Sequence, residues 1–347
     1  MKGNDLEGRL WRKANAALAG LQGRRREEVV DIFERRLYVR PTDLLVDNYL
    51  RPVPLAAFNP GAILLDGDLV VFPRLLFDYY GYTSSIGAFR LPIEDVLAGR
   101  VPSRIRTQIV LWPIELWEFG PGCEDPRVME HGGELLMLYT AARRYDADDR
   151  HEEKAVQALA VLSRSWEVRR RGYFAIDGGE GKFVPDAKDS ALLAIEGGRA
   201  RLLWRPHIRG LAWCWRGEVD LESYIVPEDS LAPVLVPERW ELRVGWSTNA
   251  LEVEGEGYLV GWHGVSRRDQ AYRNGLALVD REGWVKRISD YLLAPRGLCE
   301  SYGDRPHVIF GNGLIRYRDL LLWVGGISDY AIGIFSTPLE RALVMLR

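Results

Sequence analysis

The sequence predicts an all-β protein, a five-bladed β-propeller with a short N-terminal helical extension. A short apolar run that ends in polar or charged residues, a loop and a second run of small and apolar residues recur five times after residue 41. Turn signals such as Asp66-Gly67 and Gly197-Gly198 separate these runs, as is typical of β-hairpins. The repeat is about 60 residues long and shows no strand–helix alternation. One repeat cannot bury both of its faces, so the repeats are predicted to pack around an axis.

The N-terminal extension is predicted to be helical from residue 5 to residue 37. Apolar residues at three- and four-residue spacing begin with Leu6 and Leu10, and Val29 to Leu37 continue the pattern after a charged break. We therefore divide the chain into an extension, residues 1–40, and a propeller domain, residues 41–347. Packing of the extension on the propeller is favoured, and packing against a second subunit in a homo-oligomer stays open.

The five hairpins follow in order along the chain. Their first runs are residues 69–74 (LVVFPR), 135–140 (LLMLYT), 200–207 (ARLLWRPH), 258–263 (YLVGWH) and 320–326 (LLLWVGG). Their predicted partner strands are residues 85–89, 156–161, 208–215, 275–279 and 331–335. Residues 146–155 (DADDRHEEKA) are predicted to form a charged, solvent-facing loop.

Composition excludes several classes of function. The formal net charge of −3 gives no sign of a nucleic-acid-binding protein. The three cysteines are far apart, without a CxxC pair or a Cys/His cluster, which predicts neither a metal site nor a disulfide framework. The charged start lacks the apolar segment of a secretory signal, and no apolar stretch reaches the ~18 residues of a membrane span. We expect a cytoplasmic protein without a membrane partner.

The polar ends of the five first runs are predicted to meet at the centre of the propeller. These ends carry Arg74, Thr140, Arg205 with His207, His263, and the glycine pair that precedes Asp329. Further polar residues come just before three hairpins: Asn59 in FNPGA, Asp125 and Arg127 in GCEDPRV, and Lys188 in KDS.

These residue types indicate a site for an oxyanion such as phosphate. Cations that converge without a metal-ligating cluster favour an oxyanion, although each cation taken alone is more often part of a surface ion pair. Pro126 removes a backbone donor and restricts the geometry beside Asp125. From spacing alone, Asp125 is either a functional carboxylate or the capping residue of a turn. Any single tryptophan, such as Trp112, Trp117, Trp204, Trp246 or Trp262, is more often packed in a blade than stacked on a sugar.

In several short sequence strings the chain resembles glycoside hydrolase family 130, which comprises the β-mannoside phosphorylases and related β-1,2-mannosidases. The strings that carry the resemblance, in collinear order over roughly residues 40–345, are NPGA, FPR, EDPRV, KDSAL with WRPH, GWHGV followed by Tyr272-Arg273, and GGISDYAIGIFSTPLE. The resemblance implies a five-bladed β-propeller that needs no cofactor and uses inorganic phosphate as a co-substrate and an oligosaccharide as substrate. The N-terminal helices lie outside it.

The resemblance also implies roles for individual residues. Asp125 corresponds to the general acid, which in this family is thought to reach the glycosidic oxygen through a hydroxyl of the mannose. The mannosyl unit is expected to contact Asn59 and Asp329, and Arg127 is assigned to sugar binding as well. The residues expected to bind phosphate are Arg74, Arg205 and His263, with Lys188 and Tyr272 in support.

The predicted reaction is phosphorolysis of a β-1,2- or β-1,4-linked mannoside to α-mannose 1-phosphate. An inverting glycosidase needs an acid and a base, whereas phosphate is itself a nucleophile and needs cations that bind and orient it. Two alternatives stay open: a β-mannoside hydrolase on the same scaffold, and a non-catalytic propeller that binds glycans or proteins. The fourth hairpin's GWSTNA, FPR at the end of the first run and the aromatic residues 77–85 (FDYYGYTSS) depart from the family pattern, so the acceptor sugar stays undetermined.

Overall fold

A computed structural model of the chain describes residues 5–147 and 150–347. Most of this part of the chain forms antiparallel β-sheet, so the predicted all-β class is confirmed. The helices are α1 (Leu6–Leu21), α2 (Ile93–Leu97), α3 (Gly297–Ser301) and α4 (Leu339–Val344), and short 3₁₀ turns occur at Pro41–Asp43, Leu116–Glu118 and Glu228–Ser230. Within the described residues, no helix is both long and apolar enough to span a membrane.

The N-terminal extension is helical only in its first half. Helix α1 buries Leu6, Leu10 and Ala14, as their spacing predicts. The predicted helix up to residue 37 is wrong, because β1 (Glu34–Val39) is a strand that pairs with the last strand of the chain. Pairing with that exposed edge satisfies backbone groups that an isolated second helix would leave to water. A strand near the start of the sequence and the last strand therefore share one sheet. The predicted domain boundary at residue 40 stays a prediction.

The strands form successive groups in which most pairs are antiparallel. The first comprises β2 (Leu44–Val46), β3 (Ala56–Leu65), β4 (Asp68–Leu76), β5 (Ser84–Pro92) and β6 (Ile105–Leu111). The second comprises β7 (Gly122–His131), β8 (Glu134–Ala147), β9 (Arg150–Ser163) and β10 (Val168–Tyr173), and a single bridge from Ser84 to Gly122 joins it to the first. A small sheet of β11 (Ala175–Asp177), β12 (Lys182–Phe183) and β17 (Ile225–Pro227) follows. In these sheets β2 pairs with β6 and β11 with β17 in parallel.

The later groups repeat the same pattern. The third comprises β13 (Ala187–Glu196), β14 (Arg199–Ile208), β15 (Leu211–Ala212), β16 (Cys214–Asp220) and β18 (Ala232–Leu235). The fourth comprises β19 (Glu241–Val253), β20 (Gly257–Ser266), β21 (Tyr272–Val279) and β22 (Val285–Ile288). The fifth comprises β23 (Ile309–Tyr317), β24 (Leu320–Ile327) and β25 (Ala331–Pro338), with β1 at its edge.

The predicted hairpins are confirmed in four of five cases, and each group begins one strand earlier than predicted. In the third group, β14 pairs mainly with β16, which begins at Cys214, and only briefly with β15, so residues 208–215 do not form one partner strand. Arg209 and Gly210 adopt positive φ and close a tight turn there, so the chain needs extra residues to return as a full strand. The predicted loop at 146–155 is wrong for residues 146–147 and 150–155, which are strand, and residues 148–149 lie outside the described part.

We call β3, β7, β13, β19 and β23 the first strands of the five groups. They lie beside one another in cyclic order. β3 contacts β7, β7 contacts β13, β13 contacts β19, β19 contacts β23, and β23 contacts β3. In each group the first strand pairs with the second strand of that group. The pairing contains a register shift, which falls at a comparable position along the strand in all five groups. The shifts fall between Phe58 and Gly61, Glu124 and Arg127, Lys188 and Ala191, Trp246 and Ala250, and Gly311 and Gly313. A bulge re-aims the side chains around it, so these places are suited to building a site.

Large aromatic side chains fill the space between the groups. Trp204, Trp246 and Trp262 are fully buried, which confirms packing as their role, while Trp112 remains half exposed. Burial of such side chains is the main stabilising contribution of a core like this one.

Candidate active site

Most of the polar residues predicted to converge line one cavity of about 220 Å³, whereas Thr140 is fully buried and does not line it. Eight of the nine residues proposed from the sequence line it: Asn59, Arg74, Asp125, Lys188, Arg205, His263, Tyr272 and Asp329. The cavity is also lined by His207, which ends the third run, and by residues that the sequence does not single out: Glu124, Asp189, Arg243, Arg305, Val308 and Phe310. Most of these side chains come from the bulged ends of first and second strands, which explains how distant parts of the sequence share one cavity.

Asp125 lies in the bulge of β7 with a left-handed backbone, at φ 51°. Its carboxylate oxygen Oδ1 accepts a hydrogen bond from Asn59 Nδ2 at 3.0 Å and lies 3.5 Å from Arg74 Nη1. Positive φ is uncommon for a residue with a side chain and costs of order 1–3 kcal/mol. The surrounding contacts hold this strained conformation, and the residue is 9% exposed.

Arg74 is engaged by protein groups on several sides. Its Nη2 lies 2.6 Å from Glu124 Oε1, and its Nε donates to Ser84 Oγ at 2.8 Å. The guanidinium also lies over the rings of Phe58 and Tyr82. Arg74 therefore holds the Asp125 and Glu124 carboxylates in position, in addition to bordering the cavity.

Asp189 is a buried carboxylate that contacts three neighbouring side chains. Its Oδ2 accepts from Arg205 Nε at 2.7 Å and lies 3.7 Å from His263 Nε2, and its Oδ1 accepts from Arg127 Nη2 at 3.1 Å. Burial alone raises the pKa of Asp189, but Arg205, His263 and Arg127 outweigh it and bring the pKa to about 2. A side chain on Gly245 would meet Asp189 Oδ2 at 2.4 Å, so glycine is required beside this carboxylate.

Arg127 does not line the cavity, which corrects its predicted role in sugar binding. Its guanidinium is 1% exposed and donates to the backbone oxygens of Ser247 and Asp125, at 2.9 Å and 2.8 Å, as well as to Asp189. Burial lowers the pKa of Arg127. These bonds tie β7 to β13 and β19, so Arg127 positions the backbone of Asp125 from beneath the cavity.

His263 contributes a neutral imidazole, not the cation that the sequence indicates. Burial lowers the pKa of His263 to about 3, despite the nearby Asp189 carboxylate. Its Nδ1 shares a hydrogen bond of 3.0 Å with Ser247 Oγ, and its ring stacks on Tyr272 and meets the edge of Phe310. A neutral imidazole whose Nδ1 accepts from Ser247 can donate one hydrogen bond through Nε2, which lies 3.7 Å from Asp189 Oδ2.

The cavity is also lined by three further cationic side chains, those of Arg243, Arg305 and Lys188. Arg243 and Arg305 are exposed, and within the described residues no ion pair with a carboxylate engages either of them. Arg305 lies over the Tyr272 ring at 4.9 Å. Lys188 Nζ lies 3.7 Å from Glu124 Oε2, and burial, which lowers the pKa of Lys188, is outweighed by Glu124 and Asp125, so the pKa is raised. These cations are available to an anionic ligand.

Asp329 lies on the turn between β24 and β25 and lines the cavity. Burial raises the pKa of Asp329 to about 6, with Arg74 opposing the shift and Asp125 adding to it. Asp329 also adopts positive φ, at 49°. Above about pH 6 it is a partly buried carboxylate, suited to accepting hydrogen bonds from sugar hydroxyls. Among the described residues, no group of three or more His, Cys, Asp or Glu side chains is placed to hold a metal ion.

Comparison with known proteins assigns a family. A family model described as beta-1,4-mannooligosaccharide phosphorylase, that of glycoside hydrolase family 130, matches residues 23–347. The chain belongs to glycoside hydrolase family 130. No curated protein sequence matches it significantly.

Solved structures show that the fold is that of other family 130 proteins. The beta-1,2-mannobiose phosphorylase of Listeria innocua aligns with a TM-score of 0.65 at 18% identity, over 90% of this chain and 98% of that chain. A putative glycoside hydrolase of Bacteroides ovatus aligns with a TM-score of 0.65 at 19% identity, over 90% and 98%. MPT-4, a mannose phosphorylase of Leishmania mexicana in complex with phosphate, aligns with a TM-score of 0.60 at 13% identity, over 98% and 96%. Family 130 includes both mannoside phosphorylases and β-1,2-mannosidases, so membership supports an enzyme that acts on mannosides.

Sequence reasoning missed several residues of this family 130 site. Glu124 and Asp189 stand next to Asp125 and Lys188, which were recognised, and Arg243 and Arg305 belong to no string that resembles the family. A signal for the carboxylates was present. The bulges carry Asn-Pro at 59, Asp-Pro at 125 and Asp-Ser at 189, and all three polar residues adopt positive φ. Asn and Asp tolerate this conformation best after glycine, so their recurrence marks the bulges.

The Asp189 contacts predict a specific pH dependence of stability. Its pKa in the folded state lies below the ordinary value of 3.8, so its carboxylate stabilises the fold above about pH 4, and this contribution is lost as the pH falls toward 2. Asp189→Asn is expected to lower the free energy of unfolding at pH 7 by about 3–5 kcal/mol, because it removes one partner of the buried ion pairs with Arg205 and Arg127. Denaturant unfolding at pH 7, 4 and 3 measures the difference, with the exposed Asp319→Asn as control. A difference that stays constant over this pH range would contradict the assignment.

Proposed function

We propose that this protein is an inverting β-mannoside phosphorylase that uses inorganic phosphate to release α-mannose 1-phosphate. The observation that carries the proposal is the pairing of one acid, Asp125, with several cationic or hydrogen-bonding groups around a single 220 Å³ cavity. The groups that would bind phosphate are Lys188, Arg205, Arg243, His263 and Tyr272. The donor mannose would lie between Asn59, Asp329 and Asp125.

The proposed reaction follows from this arrangement. A phosphate oxygen attacks C1 of the mannosyl unit as the bond from C1 to the glycosidic oxygen breaks, and Asp125 supplies the proton that the leaving oxygen takes up. The configuration inverts, giving α-mannose 1-phosphate and the shortened sugar. The cations orient the nucleophile and stabilise the charge that it carries in the transition state. Arg74 acts mainly by positioning Asp125, since its nitrogens are engaged by Glu124, Asp125 and Ser84.

We also propose that the five strand groups are the blades of one β-propeller. The cyclic contacts among β3, β7, β13, β19 and β23 support this architecture, as does the pairing of β1 with β25, which joins the chain's ends. In this arrangement the cavity lies where the five first strands meet. Convergence of their bulges at one place is the structural reason for a single site.

Phosphate dependence is the direct test of the proposed reaction. We expect β-1,2- or β-1,4-mannobiose to be cleaved only when inorganic phosphate is present, because the bound anion is the nucleophile. Mannose 1-phosphate and free mannose are measured separately, with and without phosphate, and the reverse reaction is run with a panel of acceptor sugars to define the linkage. Release of two free mannose molecules at the same rate without phosphate would assign the protein to the hydrolases of the family.

A further inference from the structure

Glu124 is a carboxylate whose place in the cavity does not follow from binding an anion to cations. The residue is 5% exposed and lines the same cavity as the proposed acid and the proposed phosphate-binding groups. Oε1 lies 2.6 Å from Arg74 Nη2, and Oε2 lies 3.7 Å from Lys188 Nζ. An anion that contacts Lys188 from within the cavity therefore comes close to a carboxylate.

A carboxylate beside an anion site repels any ligand that cannot offer it a proton. A fully ionised oxyanion such as sulfate has only acceptor oxygens, and a buried acceptor facing another acceptor is strongly unfavourable. Inorganic phosphate keeps at least one proton near neutral pH, and its P–O–H group can donate to the carboxylate. A hydrogen bond to an ionised acceptor is among the strongest that proteins form.

The fixed position of Glu124 strengthens this discrimination. Arg74 anchors Oε1, and Arg74 is itself held by Ser84 and by the rings of Phe58 and Tyr82. The carboxylate therefore cannot easily turn away from an approaching anion. Rejection through a fixed repulsive group is a general route to specificity.

We propose that Glu124 selects the protonated form of phosphate and excludes fully ionised tetrahedral anions such as sulfate. This inference rests on the proposed phosphate site, and it names the form in which the co-substrate binds. Glu124 is thus a specificity-determining residue that accepts the phosphate proton. It takes no part in breaking the glycosidic bond.

The test is calorimetric titration of the folded protein with inorganic phosphate and with sulfate at pH 7 and constant ionic strength. The wild-type protein is expected to bind phosphate at least about tenfold more tightly than sulfate, the size of effect of one hydrogen bond to a charged group. In Glu124→Gln the amide can donate to either anion, so the preference is expected to fall to within about threefold, mainly through tighter sulfate binding. Glu94→Gln, an exposed change at the Arg318 pair, is the matched control and keeps the wild-type preference.

The outcomes separate this inference from the proposed function. If the wild-type protein binds neither anion, the phosphate site itself is wrong. If it binds both with equal affinity, or if Glu124→Gln folds and keeps the wild-type preference, phosphate binding stands and the role of Glu124 is overturned. The wild-type comparison alone tests the inference even if the variant does not fold.

Discussion

Asp125→Asn is expected to lower the rate of β-mannoside phosphorolysis by a factor of about 10² to 10⁴ while the protein stays folded. This is the usual contribution of a general acid, and asparagine cannot supply the proton that the leaving oxygen needs. Asparagine has nearly the same shape and can still accept the hydrogen bond from Asn59 Nδ2, so the bulge of β7 should persist. Initial rates on mannobiose with saturating phosphate measure the effect.

A substrate that needs no acid separates this role from a structural one. With a nitrophenyl β-mannoside, the leaving group departs as a stable anion, and the loss of rate should shrink strongly. Asp319→Asn, at an exposed site, serves as the control and should keep full activity. A folded Asp125→Asn enzyme that keeps more than about a tenth of its activity on mannobiose would show that the acid lies elsewhere.

Arg205→Met is expected to weaken phosphate binding by about 30- to 1000-fold and to destabilise the protein. The first effect follows from the loss of a charged contact to phosphate in an enclosed site. The second follows because Arg205 Nε is bound to Asp189 at 2.7 Å, and breaking a buried ion pair by removing one partner costs about 3–5 kcal/mol. The KM for phosphate and the free energy of unfolding are measured on the same preparation.

The double variant Arg205→Met with Asp189→Asn distinguishes the two effects. Removing both charges leaves no unpaired buried carboxylate, so a large part of the lost stability should return. Phosphate binding should stay weak, because the cation is still missing. Recovery of the wild-type KM for phosphate in the double variant would mean that Arg205 only balances Asp189.

The repeat in the sequence was sufficient to predict much of the fold. Apolar runs between turn signals gave the second and third strands of most groups, because strand pairing here follows local patterns. The first strands were missed as strands, since their bulges at Asn59, Asp125 and Asp189 interrupt the alternation that marks a strand. The strand at Glu34–Val39 was also missed, because its partner β25 lies almost 300 residues further along the chain.

The residues of the candidate site were predictable where they stand in a short, recognisable stretch of sequence. Asp125, Lys188, Arg205, His263 and Asp329 were found from such stretches, and all line the cavity. Their electrostatic states were not predictable, because burial and neighbouring charges set them. Sequence reasoning took His263 for a cation, yet burial brings its pKa to about 3. It took Arg127 for a ligand of the sugar, yet Arg127 bonds the backbone beneath the cavity.

The sequence by itself determined the all-β class, the five recurring hairpins and the types of residue that carry the chemistry. These depend on local patterns of apolar residues and turns, which neighbouring residues encode. Only the tertiary structure decided which cations remain available in the cavity and which are engaged by Glu124, Asp125 and Asp189. Charge pairing depends on distances of 3–4 Å between residues that are remote in sequence, and on burial that strengthens each interaction.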